Sequence, residues 1–323
     1  MAKEKSVGNV LSNRKKRNKG WFSYILNNWQ LYLMFLPGTI ILLVFSYAPM
    51  AGLYMAFTEY SPRLGIFGSE FVGLDNLIYA VKSFGFWDLV KNTLILGVLK
   101  LIFCFPLSII LALLFNELKI KWYKKFVQTA CYLPYFISWV IISSMLYAIL
   151  NTDFGLLNSL LVKLGRDPVQ WYAEPKYWRF ILTFMSGWKS SGWGTITFMA
   201  ALADINPDLY GAAEIDGADR WKQTIHVTIP GLMHVIGITF VLSAASIVRD
   251  DFDMIYCLTN GSSLLNEVAD VLGTWSFRTF QGAPSGWGGA TAVGMAQGII
   301  GLLITLGCNA VLKKTGNPSM WGD

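Results

Sequence analysis

The stretch Asn206-Pro-Asp-Leu-Tyr-Gly-Ala-Ala-Glu-Ile-Asp-Gly-Ala-Asp-Arg-Trp-Lys-Gln-Thr-Ile-His-Val-Thr-Ile-Pro230 is a polar island between two long apolar segments. It carries helix punctuation. Asn206 is a good N-cap, and Pro207 stands at a first helical position, where a missing N–H costs nothing. Asp208 in the first turn suits the positive end of the helix dipole. Gly217 can close the helix in a left-handed conformation. Asp219 then predicts a cap for a second short helix that ends before Pro230. Gly211, Ala212 and Ala213 lie at the centre of the first helix, with so little side-chain bulk that a partner's groove can come close. The stretch therefore predicts a short helix at a membrane surface, shaped to be gripped by another molecule.

The flanking segments supply the membrane. Of the 323 residues, 54% are apolar and only 14% charged, where a soluble domain has about a quarter charged. Apolar runs of about 20 residues are long enough to cross a bilayer. So many near-uncharged runs would give a soluble helical protein an implausibly large core. The sequence predicts an all-α integral membrane protein with six spans, at about 31–57, 88–115, 126–150, 178–202, 232–258 and 289–312. A basic tail (1–30) precedes this domain (31–312), a short tail (313–323) follows it, and 203–231 is the loop between spans four and five. Pro37, Pro49, Pro106 and Pro134 fall in or near spans, where neighbouring helices can re-satisfy the freed backbone groups.

Lys and Arg set the orientation. Fifteen fall in the N-terminal tail, the 116–125 loop, the 203–231 loop and the C-terminal tail; seven fall in the longer opposite loops. Both termini and the Asn206–Pro230 loop are thus expected in the cytoplasm; the bacterial inner membrane is what the family resemblance set out below implies. The cluster Arg14, Lys15, Lys16, Arg17 and Lys19 reads as a membrane-side anchor, not a nucleic-acid patch, because an apolar run follows at once. That run is too long, and lacks a small-residue cleavage site, for a removable signal peptide. Cys104, Cys131, Cys257 and Cys308 have no metal or redox spacing and read as small hydrophobes. His226 and His234 are too few for a metal site. There is no Gly-x-x-x-x-Gly-Lys-Ser/Thr loop, so any ATP-driven motor is another polypeptide.

The organising stretch resembles the EAA loop of permease subunits in ABC-type importers: Glu-Ala-Ala, three residues, Gly, nine residues, then Ile-x-Leu-Pro. Here Gly211, Ala212, Ala213, Gly217 and Val227-Thr-Ile-Pro230 occupy those places, and Ala212 to Ala218 carries the Ala-Ala-x-Ile-Asp-Gly-Ala form of the sugar-importing branch. Gly211 replaces the usual Glu, which removes a carboxylate expected to face the ATPase; Glu214, on roughly the same face, is the candidate substitute. A second resemblance is Phe252-Asp-x-Ile-Tyr256-x-Leu-Thr-x-Gly261, which is similar to the end of the fifth helix in such permeases. The resemblance covers nearly everything past residue 30. It implies the binding-protein-dependent inner membrane component family, with the type I importer permease fold and short cytoplasmic coupling helices between spans four and five. It assigns ATPase coupling to Gly211, Ala212, Ala213, Glu214, Asp216, Gly217 and Ala218. It further implies a heterodimer with a second permease, two cytoplasmic ATPase subunits that hold the ATP and Mg, and an extracellular or periplasmic sugar-binding protein. No cofactor, catalytic residue or metal is expected on this chain, and no nucleic acid partner.

Candidates for a substrate path come from the spans. Arg249, Asp250, Asp251 and Asp253 put four charges in five residues at the outer end of span five, which is costly in a bilayer unless they face protein or water. Arg249 and Asp253, four apart, are expected to pair on one helical face. The cluster is either a structural ion-pair network or a polar lining for sugar hydroxyls, with Tyr256 beside it. In Gly187-Trp-Lys-Ser-Ser-Gly-Trp-Gly194, small residues allow close helix approach or bending. Trp188 and Trp193 either stack on sugar rings or pack. Lys100 and Lys189 should face the bundle interior, and glycines recurring from Gly289 to Gly307 predict close helix packing. Trp171, Tyr172, Tyr177 and Trp178 read as an interface belt or a docking surface. Two alternatives fit less well. A membrane enzyme acting on a lipid-linked saccharide would want an acid/base or metal constellation that is absent. A secondary transporter would want inverted halves.

Overall fold

Near-uncharged apolar runs leave the backbone no partner but itself, so they form long helices, and helices dominate the computed structural model. It describes residues 28–282 and 286–314; the basic N-terminal tail and most of the C-terminal tail lie outside these. Two units divide at Tyr54/Met55. In the first, α1 (Trp29–Leu42) contains Pro37 and buries no residue. It continues through a wider π turn, Leu43–Tyr47, into a tighter helix, Ala48–Phe57. The run Trp29–Phe57 is long and apolar enough to cross a membrane.

The second unit opens with a two-stranded antiparallel ribbon, β1 (Thr58–Glu59) and β2 (Glu70–Phe71). The Asn76 amide fixes its entry by donating to the carbonyls of Ala56 (3.0 Å) and Thr58 (2.9 Å). Gly85, at φ 79°, turns the chain into the 32-residue α2 (Phe86–Glu117). The third apolar run is not one rod. It is α3 (Lys121–Tyr132), a tight turn over Leu133–Phe136 and α4 (Trp139–Leu150), bent by 101°. Pro134 sits in that turn, and Ser138 restarts the helix by accepting from the Ile141 N–H.

α5 (Trp178–Ala203) runs along α2, and its glycines are the reason it lies so close. A Cβ at Gly192 would overlap the Cys131 carbonyl of α3, and one at Gly187 would fall 2.6 Å from the Phe103 ring. α6 (Pro207–Ile215) follows. Beyond it, Arg220–Gln223 and a π segment, Thr224–Thr228, lead straight into α7 (Ile229–Ala245). The second short helix therefore does not end before Pro230. Pro230 offers no N–H to the turn before it; that turn is the wider π segment Thr224–Thr228, and Arg220–Ala245 is one continuous run through it.

The fifth run corrects the expectation of one rod over 232–258. The helix stops at Ala245, and a bend over 246–251 precedes α8 (Phe252–Thr259), which Asn260 (φ 51°) and Gly261 (φ 62°) close. Arg249 is thus not helical, and the predicted Arg249–Asp253 pair does not form. α9 (Leu272–Gly282) and α10 (Gly286–Lys314) complete the chain. Among the described residues four helical runs are long and apolar enough to cross a membrane, five if the bent α3–α4 pair is one span; α5 is as long but less apolar.

Among the described residues three apolar clusters hold the helices, one of them, Ala80, Phe86, Leu89, Leu272 and Val293, joining the start of α2 to α9 and α10, and two others lying further along the bundle. Of those two, one gathers Leu96, Ile142, Trp178, Leu182 and Leu258; the other Ala112, Phe198, Leu202 and Leu232 at the opposite end of α2. The glycine reading of α10 needs correction: a Cβ would crowd Ala245 at Gly301 (3.2 Å), whereas Gly294, Gly298 and Gly307 face open space. Ile299, Leu302, Leu303 and Leu306 are exposed beside them, as suits a helix that meets lipid or another subunit.

Candidate functional site

Two regions carry the residues singled out from sequence. In α6, the Asn206 side chain accepts from the Asp208 N–H (3.0 Å). At the other end Gly217, at φ 76°, lets its own N–H reach Glu214 and the Ala218 N–H reach Ala213 (2.9 Å). That closure satisfies carbonyls that would otherwise lack donors. Asp219 caps the next turn by accepting from Lys222 (2.8 Å). Ile205, just before α6, packs over Gly231, and the Tyr210 hydroxyl meets that of Thr228 (3.1 Å), so α6 is fastened to the foot of α7. Its other side is bare. Gly211, Ala212, Glu214, Asp216 and Gly217 are exposed, Ala213 and Ala218 half-buried, and a Cβ at Gly211 would touch nothing. Ile215 is 89% exposed beside them, a large apolar side chain with no partner in this chain.

The second region is a cavity of about 850 Å³ between α2, α5, α7 and the 246–253 segment. α2 presents Gly97, Lys100, Cys104 and Ser108; α5 presents Ser186, Ser190, Gly194 and Thr197; α7 presents Thr239 and Ser243. Gly97 admits the bend, since a Cβ there would overlap the Ile247 carbonyl. Several hydroxyls donate back to their own helices, Ser108 to Cys104 (3.1 Å), Ser190 to Ser186 (2.6 Å) and Thr239 to Val235 (2.6 Å). Their oxygens keep lone pairs that can accept from a hydroxylated guest.

The charges in this wall differ in how they are engaged. The Lys100 ammonium pairs with Asp251 at 2.7 Å. Asp250 accepts from the Gly273 N–H (2.8 Å) and the Gln297 amide (3.2 Å), and Gln297 also donates to the Val248 carbonyl (3.0 Å). The bend is therefore tied to α2, α9 and α10 at once. Asp253 lies in the first turn of α8. The side chains of Arg249 and Asp253 take no hydrogen-bond or ion-pair partner among the described residues.

The structure thus brings Arg249, Asp250, Asp251 and Asp253 together on one cavity wall and leaves the aromatic candidates outside it. Trp193 stacks on Tyr135 (4.7 Å between centroids) and meets Phe136 edge-on. Trp188 is 39% exposed away from the cavity wall. Tyr256 stacks with Phe252 (5.3 Å) and lines a separate pocket of about 60 Å³ near the bidentate Asp270–Arg278 pair. Lys189 donates to the Ile137 carbonyl and covers the Trp139 ring. In the loop cluster, Trp178 is fully buried and donates to the Trp171 carbonyl (2.7 Å). Burial, with Tyr147 beside it, pushes the Tyr172 phenol up to about 12. Sequence reasoning missed the hydroxyl wall and Gln297. Gly97, Lys100, Cys104 and Ser108 recur at helical spacing on α2, as do Ser186, Ser190, Gly194 and Thr197 on α5, and that period was the available signal.

An open cavity with hydroxyls and charges along its wall, set between apolar helices, and a bare small-residue helix on the same bundle fit a membrane transport subunit. The chain belongs to the family of binding-protein-dependent transport system inner membrane components, whose model matches residues 104–313. It is 37% identical over 321 residues to the polygalacturonan/rhamnogalacturonan transport system permease protein YteP of Bacillus subtilis (strain 168), covering 99% of this chain and 98% of that one. It is 36% identical to protein LplB of the same strain, over 91% of this chain and 92% of LplB. Its fold matches a chain of a crystal structure of a bacterial ABC transporter involved in the import of the acidic polysaccharide alginate. There the TM-score is 0.81 at 36% identity, with 91% of this chain and 98% of that chain covered. A crystal structure of a bacterial alginate ABC transporter in complex with an alginate pentasaccharide-bound periplasmic protein also matches this chain, with a TM-score of 0.81 at 35% identity, covering 93% of this chain and 99% of that one. This chain is a permease subunit of an ABC importer and not an enzyme; the ATPase is a separate polypeptide.

Proposed function

We propose that this chain and a second, related permease enclose the membrane path of an importer that takes an oligosaccharide from a binding protein and releases it inside the cell. The observation that carries the reading is the polar cavity of about 850 Å³ lined by α2, α5, α7 and the 246–253 bend. Carboxylate and hydroxyl oxygens there match the hydrogen bonds a sugar loses on leaving water. The relatives whose names state a substrate carry saccharides. Six membrane crossings account for the helices, with α5 as the fourth and the bent α3–α4 pair as the third. Both termini and the 203–231 loop then face the cytoplasm, in line with the Lys and Arg bias.

Coupling follows from α6. Gly211, Ala212, Ala213, Glu214, Asp216, Gly217 and Ala218 form the surface that two ATPase subunits, holding ATP and Mg, grip from the cytoplasm. Closure of the ATPase pair drags α6 and, through Ile205 and Tyr210, the foot of α7. The cavity then opens alternately to each side, because ATP and sugar bind the two states unequally. The test is reconstitution of the whole importer in proteoliposomes with labelled oligosaccharide. Uptake that needs ATP, the ATPase and the binding protein supports the reading; uptake by this chain without them removes it.

A further inference from the structure

We infer that the start of α3 is a lipid anchor. Lys121 and Lys125, with Lys119 and Lys124 beside them, bind the phosphate headgroups of anionic lipids, while Trp122 and Phe126 sink into the boundary between headgroups and acyl chains. The inference goes beyond the transport reading and holds whatever solute the cavity carries.

The sequence sets charge and aromatic side by side. Lys119-Ile-Lys-Trp-Tyr-Lys-Lys-Phe126 carries four lysines, and Glu117 is the one carboxylate between Asp88 and Asp153. Residues four apart share a helix face. Lys121 and Lys125 make one such pair, and Trp122 and Phe126 make the next, one step round the helix. Val127, Gln128 and Cys131 are half-buried toward the bundle, whereas all four members of the two pairs are exposed. Trp122 is 75% exposed and Phe126 59%, and their rings stack at 5.9 Å into one flat plate. None of the four ammonium groups meets a carboxylate among the described residues. Water alone would suit the lysines, but not an aromatic plate of this size beside them.

The backbone lays this face along one end of the bundle. α3 is bent by 101° from α4, and it does not run back along α2. It starts just after α2 ends, and at its far end the Tyr132 ring still meets that of Phe115 (6.4 Å between centroids), in the last turn of α2. A 12-residue helix is about 18 Å long. Both ends of α3 therefore stay near the same end of α2, and its first turns run on a slant across the bundle. Ala112 packs there with Leu202 and Leu232, from the helices that precede and follow α6. The Lys and Arg bias predicts that this end faces the cytoplasm, where the leaflet is anionic. A lipid surface matches α3 in two layers. Its phosphates take the ammonium groups, and the layer beneath takes the aromatic plate. A protein partner would have to supply carboxylates and an apolar trough at the same spacing.

The test uses the complete importer in vesicles of equal parts phosphatidylglycerol and phosphatidylcholine, with one lipid or the other radiolabelled. The photocrosslinker p-benzoylphenylalanine stands in place of Phe126, and the label captured on this chain is measured after irradiation. Phosphatidylglycerol is expected to be captured about fivefold more than phosphatidylcholine or better, since one lysine near an anionic surface is worth about that much. Lys121→Gln with Lys125→Gln is expected to bring the two lipids close to parity. Lys121→Arg with Lys125→Arg keeps the charges and should keep the preference. High salt, which at 1 M cuts electrostatic reach to about 3 Å, should erode it. Should the glutamine variant fail to assemble, the parent's preference and its salt dependence decide. Equal capture of the two lipids by the parent, or an unchanged ratio in the glutamine variant, would overturn the inference. So would a crosslink to the second permease or an ATPase in place of lipid, or a probe that captures neither lipid. ATP-dependent uptake is read separately in the same vesicles, so failure of the transport reading would leave this result standing.

Discussion

At the residue scale, the Lys100–Asp251 pair decides how the cavity wall is held. The Lys100 side chain is 15% exposed and that of Asp251 52%. Water therefore screens part of their attraction, and the coupling should be about 1 kcal/mol, well below that of a dry pair. Lys100→Met leaves Asp251 without its partner on that wall, and transport should drop. Lys100→Met with Asp251→Asn should recover part of the loss. Uptake rates for the four members of this double-mutant cycle check it; equal losses in single and double variants would show that the pair does not couple. The same scale explains what the sequence could not reveal. Arg249 and Asp253 were expected to pair because both were placed on one helix. The Asp250 carboxylate instead accepts from Gly273 and Gln297, far along the chain, and the backbone bends to deliver it there. No local pattern encodes a partner 23 or 47 residues away.

At the scale of elements, local chemistry was more legible. Asn206, Gly217 and Asp219 do the cap and turn work their residue types favour, because these interactions span no more than five residues. The breaks at 133–138 and 246–251 were not read as breaks, although each carried a signal, Pro134 in the first and Arg249, Asp250 and Asp251 in the second, because the apolar runs on either side were long enough to be joined into one rod. Gly217 offers the clearest test of an element. At φ 76° a side chain is strained, so Gly217→Val should cost about 1–2 kcal/mol locally and misdirect α6. The expected outcome is normal membrane insertion with ATP-dependent uptake reduced severalfold or abolished; unimpaired uptake would take α6 out of the coupling route. Gly192→Val tests packing at the other end of the argument. Its side chain would meet the Cys131 carbonyl, forcing α5 from α3 at a cost of about 1–3 kcal/mol. A clear fall in the thermal stability of the purified complex is expected, and no fall would mean the two helices part freely.

At the scale of the whole molecule, the arrangement separates the cavity from the surface that drives it. α5 and α7 line the cavity, and the foot of α7 is fastened to α6 by Tyr210 and to the chain just before α6 by Ile205. In the proposed mechanism a displacement of α6 would be carried along rigid helices, which transmit force better than loops would. The proposed mechanism requires α6 to face the compartment that holds ATP, as the Lys and Arg bias predicts. Ile215, 89% exposed on α6, supplies a direct probe. A cysteine at Ile215 should react with a membrane-impermeant maleimide in inside-out vesicles and stay unmodified in right-side-out ones, read against the parent chain to subtract its four native free thiols. Adding the ATPase subunits should slow that labelling by about tenfold, because a gripped helix loses its access to solvent. Labelling from the outer side would reverse the topology and, with it, every assignment of cavity mouth and motor face. Labelling from the inner side that the ATPase leaves untouched would keep the topology and move the grip elsewhere on the chain.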